Sequence, residues 1–83
     1  DVFEIHEAFA ATIVKLQREL EIDSARLNIN GGCIALGHPM GATGAIMTGT
    51  AIDELIRCDG SIGVIAASGA AGSGSALLVE RCY

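Results

Sequence analysis

The segment "SIGVIAASGAAGSGSALLVE", residues 61–80, carries the clearest secondary-structure pattern in the sequence. A run of apolar and β-branched residues is followed by a glycine- and serine-rich segment and then by a second apolar run. This pattern predicts a buried strand, a turn and a partner strand that returns antiparallel. The sequence therefore predicts a C-terminal β-hairpin.

The segment upstream of this hairpin predicts a helix over residues 41–57. Glycines and Pro39 precede it, and Asp59 with Gly60 follow it. Residues 42–52 are all Ala, Thr, Gly, Ile or Met, so the helix has no polar side. A helix that is apolar all round packs against neighbours on more than one side. We therefore expect a buried central helix, with sheets on either side of it.

The N-terminal third predicts a strand followed by a helix. "VFEI", residues 2–5, resembles a short strand, and helical spacing begins in "HEAFAATIVKLQREL", residues 6–20. The predicted core stripe of that helix is Phe9, Ile13, Leu16 and Leu20. "RLNI", residues 26–29, is a candidate extended piece. The order strand, helix, short strand, helix, strand, strand is typical of a layered α/β domain.

Composition and charge narrow the class of protein. The chain has 83 residues, 51% of them hydrophobic, with a mean hydropathy of +0.49, which is more core than a domain of this size needs alone. It begins without Met inside an apolar stretch, so we expect a piece of a longer protein. The net charge of -5 and the five scattered Lys and Arg residues argue against nucleic-acid binding.

The cysteines indicate the redox state of the compartment, and two long uncharged stretches raise the question of a membrane span. Cys33, Cys58 and Cys82 are odd in number and form no CxxC, which favours a reducing intracellular compartment. Residues 27–52 and 60–79 are uncharged and long enough to span a bilayer. Asn, His, Pro and glycine-rich interruptions are costly in lipid, so we expect no membrane span. A small membrane hairpin is the alternative.

His38 is the candidate catalytic residue in "NGGCIALGHPMGATG", residues 30–44, which has no charged side chain. Pro39 restricts His38 to extended backbone, and the helix N-terminus that follows favours a neutral imidazole. A neutral imidazole can act as a base or donate a hydrogen bond to an oxyanion. The alternative is a structural histidine that holds a loop. The stretch lacks the Lys of a P-loop and a G-x-G-x-x-G motif, so nucleotide-phosphate binding is weakly supported.

Three motifs carry a family resemblance. "NINGGCIALGHPMGATGA", residues 28–45, resembles the long signature of the thiolases, and "HEAFA", residues 6–10, resembles their N-E-A-F motif. "SGAAGSGSA", residues 68–76, lies where the family has its C-terminal Cys-x-Gly segment. The chain is identified as a member of this family. The His of "HEAFA" resembles the trifunctional-enzyme β-subunit type.

The resemblance implies a fold. A thiolase subunit has two similar domains in a five-layer α-β-α-β-α arrangement. Residues 1–83 would be the C-terminal portion of the C-terminal domain, with the predicted helix at 41–57 between the sheets. The nucleophilic cysteine of the family lies in the N-terminal domain, outside this sequence.

The resemblance also implies an activity: CoA-dependent thiolysis of 3-ketoacyl-CoA, or Claisen condensation of acyl-CoAs, in fatty acid metabolism such as β-oxidation. Coenzyme A would be a substrate, with no cofactor and no metal. The implied partners are the remainder of the thiolase chain and further copies in a homodimer or tetramer, with a multienzyme β-oxidation complex as an alternative. The compartment would be the cytoplasm, or the mitochondrion or peroxisome of a eukaryote.

Roles for individual residues follow from the same resemblance. His38 would accept the proton of the nucleophilic thiol and contribute to an oxyanion hole. His6 stands where most relatives have Asn and would hold a water that completes that oxyanion hole, or would simply be a histidine at a strand end. The backbone N–H of Ala70 would serve a second oxyanion hole. The resemblance further implies an orienting role for Glu7 and substrate-binding roles for Ala8, Phe9 and Gly37; periodicity favours a core role for Phe9.

Ser68 departs from the family. That position carries the second cysteine, which removes a proton from the attacking carbon or thiol and returns it to the leaving group. A thiol has a reference pKa of about 8.5 and can shuttle protons near neutrality, whereas a serine hydroxyl is far too weak an acid. We expect Ser68 to cripple the carbon–carbon step, either as an engineered or sequence-specific replacement or in a catalytically degenerate subunit that binds acyl-CoA or scaffolds a complex.

Overall fold

The computed structural model describes residues 1–82. The chain order is β1 (Val2–Ile5), α1 (Ala10–Glu19), a 3-10 turn (Ser24–Arg26), α2 (Cys33–Leu36), α3 (Met40–Arg57), β2 (Ile62–Ser68), a second 3-10 turn (Ala70–Gly72) and β3 (Gly74–Glu80). The predicted α/β class and the order of its main elements are confirmed.

The three strands form one sheet in the order β1-β2-β3. β1 pairs parallel to β2, so Val2 lies opposite Gly63 and Ile5 opposite Ala66. β3 returns antiparallel to β2 over seven residue pairs, from Ile62↔Glu80 to Ser68↔Gly74. The predicted C-terminal hairpin is confirmed. The parallel pairing of β1 and β2 brings the carboxyl ends of these two strands to the same edge of the sheet.

The core lies between this sheet and α3. Its members are apolar side chains from β1, from β2 and from successive turns of the helix: Val2, Met47, Ala51, Leu55 and Ile65. Positions 47, 51 and 55 recur every four residues, as one face of a helix requires. This packing fixes where α3 begins relative to the sheet edge.

The opposite face of α3 is open in this chain. Ile46, Ile52 and Ile56 are each exposed by more than two fifths. The predicted burial of the helix is therefore met on the sheet side only, within the residues described.

The first helix differs from its prediction at both ends. α1 begins only at Ala10, the last residue of the HEAFA motif, and Phe9 precedes its first turn as the N-cap residue with 82% of its surface exposed. Leu20 follows the last turn and is also exposed. The core role predicted for these two side chains is wrong in this chain, because neither lies within the helix whose periodicity suggested it. Ile13 and Leu16 are half-buried.

Two further local features differ from expectation. α2 is a four-residue helix that the sequence did not predict, and it ends at Gly37 with φ +94°, a left-handed conformation that glycine adopts at low cost. The extended piece expected at 26–29 is reduced to one bridge between Leu27 and Phe3. None of the helices in residues 1–82 is both long and apolar enough to cross a bilayer.

Candidate functional site

Two of the predicted site residues lie at one edge of the sheet. His6 follows the last residue of β1, and Ser68 is the last residue of β2. The His6 N–H donates to the Ala66 carbonyl at 2.9 Å, which continues the strand pairing beyond β1. The parallel register thus holds the HEAFA motif beside the start of the glycine-rich turn.

His6 and Ser68 line the same cavity, which has a volume of about 340 Å³. Thr12 and Leu16 of α1 line it from another side, and the N-terminal half of β3 closes part of it. His6 is 5% exposed. Burial lowers the pKa of its imidazole, the neighbouring His38 lowers it further, and Glu7 opposes both. The His6 ring is therefore neutral at physiological pH.

His38 reaches this group from a different motif. The centroids of the His38 and His6 rings are 4.3 Å apart, with their planes inclined at 48°. The Nδ1 atom of His38 lies 2.7 Å from the Oγ1 atom of Thr43, a buried residue in the first turn of α3. The predicted position of His38, just ahead of a helix N-terminus, is confirmed because α3 begins at Met40. His38 itself is exposed and does not line the cavity shared by His6 and Ser68.

Glu7 connects the end of β1 to the loop before α2. Its carboxylate accepts hydrogen bonds from the Asn28 amide at 3.2 Å and from the Ile34 N–H at 3.1 Å. Gly32 passes so close that an added Cβ would lie within 2.3 Å of the Glu7 carboxyl group. A side chain at position 32 would displace the Glu7 carboxylate from these hydrogen bonds, through which Glu7 holds the segment that leads to His38.

Asn28 is a structural residue of the site that the sequence did not single out. Its Oδ1 accepts from the Ile5 N–H at 2.8 Å, and its Nδ2 donates to the Ile5 carbonyl at 2.9 Å. Its φ of +46° lies in the left-handed region, which Asn tolerates better than most residues. Asn28 thus satisfies the backbone of β1 at the residue before His6.

We expect Asn28→Ala to lower the free energy of unfolding by about 1–3 kcal/mol, because two backbone groups of Ile5 lose their partner. Chemical denaturation of the full-length protein measures this. Asn28→Gly is the matched variant, since it relieves the left-handed backbone but cannot restore the hydrogen bonds. If Asn28→Gly is as stable as the wild type, the stabilising role assigned to the amide is contradicted.

Glu4 is a second residue that the sequence analysis missed. This carboxylate in the middle of β1 is 3% exposed, and its Oε2 has no hydrogen-bond partner. Burial raises its pKa to about 7, with further contributions from the charges of Glu7 and Glu54. A charged residue between the apolar residues of "VFEI" was the signal available in the sequence.

The raised pKa of Glu4 predicts how stability depends on pH. The folded protein keeps a proton on Glu4 between the ordinary pKa of 4.5 and about 7, whereas the unfolded chain loses it. Stability therefore falls as pH rises through that window, by on the order of 2–3 kcal/mol.

Glu4→Gln removes this titration, so we expect the variant to gain stability over the wild type at about pH 8 and not at about pH 5. Thermal unfolding of both full-length proteins at the two pH values measures the difference. Groups common to both proteins cancel. An equal difference at the two pH values would contradict the assignment.

Glu54, another buried carboxylate, is fully engaged. Arg57 donates to both of its oxygens, and Asn30 donates to Oε2 at 3.1 Å. The hydrogen bond from Arg57 is the main cause of the lowered pKa of Glu54, followed by that from Asn30. These hydrogen bonds link the loop at residue 30 to the last turns of α3. They occupy the Glu54 carboxylate, so Glu54 is not a candidate for a catalytic role.

The turn after Ser68 is held by its own backbone. The Gly69 N–H donates to the Ser73 carbonyl at 2.8 Å, and the Ser73 hydroxyl donates to the Ala70 carbonyl at 3.0 Å. Gly72 has φ +76°, and Ala71 also lies in the left-handed region at +57°. Ser68 and Ala70 are exposed, so the structure leaves this turn accessible.

The three residues predicted to bind substrate are not gathered with the others. Ala8, Phe9 and Gly37 do not line the cavity that His6 shares with Ser68. Ala8 is half-buried, Gly37 is exposed, and the peptide bond between Ala8 and Phe9 is cis. Their substrate-binding roles stay predictions.

Metal-binding groups and cysteine thiols are two further features of the described residues. Over residues 1–82, no three His, Cys, Asp or Glu side chains form a group that could hold a metal ion. Cys33, Cys58 and Cys82 are free thiols. None of the three lines the cavity that His6 shares with Ser68.

Comparisons with known proteins identify the family. Residues 1–81 match the family described as "Thiolase, C-terminal domain". A probable acetyl-CoA acetyltransferase of Mycolicibacterium smegmatis is 47% identical over 81 residues, which cover 98% of this chain and 21% of that protein. A beta-ketoadipyl-CoA thiolase of Pseudomonas knackmussii is 49% identical over 83 residues, covering 98% of this chain and 21% of the relative.

A solved structure agrees with the sequence comparisons. The crystal structure of the Bacillus anthracis acetyl-CoA acetyltransferase superposes with a TM-score of 0.91 at 41% identity, over 96% of this chain and 20% of that one. The chain therefore belongs to the thiolase family. It spans about a fifth of the length of the curated relatives it matches (21%).

Proposed function

We propose that this chain forms one side of the acyl-transfer site of a thiolase-type enzyme, which cleaves 3-ketoacyl-CoA with coenzyme A or condenses two acyl-CoAs. One observation carries the proposal. The rings of His6 and His38, from motifs 32 residues apart in sequence (38 − 6), lie 4.3 Å apart, and His6 shares its cavity with Ser68. All three motifs of the family resemblance thus meet at one edge of the sheet.

His38 is proposed as the base. With Nδ1 engaged by the Thr43 hydroxyl, the Nε2 atom is the ring nitrogen left for a substrate or nucleophile. When Nδ1 carries the proton, Nε2 can accept one, and the imidazolium that forms can donate it back. In the family the proton comes from a cysteine thiol of the N-terminal domain, which we propose is supplied by the remainder of the chain.

His6 is proposed as a hydrogen-bonding group rather than a base. Its lowered pKa keeps the ring uncharged, so it can hold a water or donate to a developing oxyanion without adding a full charge to the cavity. The Ala70 N–H is proposed for a second oxyanion hole, beside Ser68. Ala8, Phe9 and Gly37 are proposed along the path of the substrate.

The surfaces left open suit a larger assembly. Ile46, Ile52 and Ile56 on α3 and Leu77 and Leu78 on β3 are exposed here. Exposed apolar area of this kind favours burial against another part of the protein. We propose that the remainder of the thiolase chain covers α3 and that the complete protein is a dimer or tetramer in a reducing intracellular compartment, with coenzyme A as a substrate and no other cofactor.

Protection of an introduced thiol tests whether this cavity binds acyl-CoA. In the full-length protein with Ser68→Cys, we expect saturating acetyl-CoA to slow iodoacetamide alkylation at position 68 by at least about tenfold, since an occupied pocket excludes the reagent. Cys58 and Cys82, both exposed and outside the lining of the cavity, are internal controls followed by peptide mass spectrometry. Alkylation at an unchanged rate with acetyl-CoA present would contradict the proposal.

A further inference from the structure

Glu4 is a buried carboxylate that the proposed acyl transfer leaves without a role. It lies two residues before His6 on β1, and its Oε2 atom has no partner among the residues described. A buried carboxylate without a partner loses the hydration that water gives it and is destabilised unless it gains a hydrogen bond or a proton. The burial of Glu4 at this position therefore needs a physical explanation.

A second, smaller cavity lies between Glu4 on β1 and the side of α3 that carries Thr43. Glu4, Thr43 and Thr50 supply polar side chains to its wall, and its volume is about 30 Å³. A space of this size takes one water, which needs two to four polar partners, and these three side chains can supply them. Thr43 is the same residue whose hydroxyl lies 2.7 Å from Nδ1 of His38.

We propose that Glu4 is a positioning residue for His38, acting through Thr43 and one water in the smaller cavity. The His38 Nδ1–H donates to the Thr43 hydroxyl, the hydroxyl donates to the water, and the water donates to the Glu4 carboxylate. This inference rests on the proposed function, in which His38 is the base. No bond to substrate is made by Glu4 or Thr43.

The direction of this hydrogen-bonded chain has a consequence for catalysis. An acceptor at its far end holds the proton on Nδ1 of His38 and leaves Nε2 bare, which is the tautomer a base requires. The same carboxylate stabilises the imidazolium once His38 has taken a proton. Protonation of Glu4 removes the negative charge of the acceptor and adds an O–H donor that can reverse the hydrogen bonds, so their direction is fixed only above the titration of Glu4, near pH 7.

Several other charged or titratable groups face this hydrogen-bonded chain. Glu7 in the loop after β1, Glu54 on α3 and the His6 ring face Glu4 or His38, and Cys33 of α2 lines the smaller cavity. Arg57 is held by Glu54, so it offers Glu4 no direct partner. These groups are unchanged in the variants below.

The kinetics of four variants test the hydrogen-bonded chain from His38 to Glu4. In the full-length protein with Ser68→Cys, we expect Glu4→Gln and Thr43→Val each to lower kcat by about 10–100-fold with KM unchanged, the range for groups that orient an active-site histidine. The double variant should lose no more than either single one, and Thr43→Ser should retain activity. An ionisation near neutrality in the pH profile of kcat should disappear with Glu4→Gln.

The control is Thr48→Val, whose hydroxyl donates to the Gly44 carbonyl on the same helix and lines neither cavity. If Glu4→Gln and Thr43→Val behave like this control while the parent enzyme turns over, the proposal is overturned. If no variant turns over, the proposed function fails instead, and the positioning role is decided by a second readout.

That readout is the tautomer of His38, from ¹⁵N imidazole spectra assigned by difference against His38→Asn. We expect the Nδ1–H form to dominate at about pH 8 in the wild type and to decrease in both Glu4→Gln and Thr43→Val, since the first variant replaces a charged acceptor by a weaker neutral one and the second removes the relay. Spectra that are identical in the wild type and both variants overturn the proposal whether or not the enzyme is active.

Discussion

Ser68→Cys is expected to raise the rate of CoA-dependent cleavage of 3-ketoacyl-CoA by about 10²–10⁴-fold in the full-length protein, the usual contribution of a positioned acid–base group. Ser68 ends β2 and lines the cavity of His6, so a thiol there lies where the proton must be moved. The hydroxyl of the native residue is too weak an acid for that task. The backbone needs no change, because serine and cysteine have the same shape.

Ser68→Ala is the matched control for this gain. It changes the size of the side chain by a similar small amount but adds no acid, so its rate should equal that of the wild type. Steady-state rates of the three proteins at saturating coenzyme A give the comparison. A rise in rate of similar size in Ser68→Ala and Ser68→Cys would show that the cavity, not the thiol, limits turnover.

The second large effect is expected at His38. In the Ser68→Cys background, His38→Asn should lower kcat/KM by about 10²–10⁴-fold, since the amide can donate a hydrogen bond but cannot take a proton. The ring of His38 is exposed and held only at Nδ1, so the substitution should leave the fold intact. Unfolding temperature measured alongside the rates verifies this.

His6→Asn separates the two histidines. Its ring is kept neutral and is proposed only to donate or to hold a water, which an amide can also do. We therefore expect His6→Asn to retain turnover within about tenfold in the same background, in line with the smaller worth of a single hydrogen bond. Equal losses at both positions would contradict the separate roles proposed for them.

Elements that depend on residues close together in the sequence could be predicted. The hairpin of β2 and β3 follows from two apolar runs around a glycine-rich turn, and α3 from its flanking Pro39 and Gly60. The position of His38 ahead of α3 follows from the same flanking residues. These signals depend on residues that are close in sequence, so they can be interpreted without the tertiary structure.

What the sequence did not predict depends on contacts between distant residues. Asn28 satisfies the backbone of Ile5, 23 residues away, and no local pattern indicates that pairing. Thr43 and Glu4 meet at a cavity only because α3 packs on β1. Phe9 fitted a helical stripe but lies outside the helix, since residues 6–9 form the loop between β1 and α1.

Whether the protein is a thiolase is decided by the identity of the products that full-length Ser68→Cys forms from 3-ketoacyl-CoA and coenzyme A. Mass spectrometry of the mixture distinguishes the possible reactions. We expect two acyl-CoA products in equal amounts, one of them acetyl-CoA, with one free coenzyme A consumed per cleavage. Release of coenzyme A with a free 3-keto acid, or unchanged substrate at high protein concentration, would contradict this expectation.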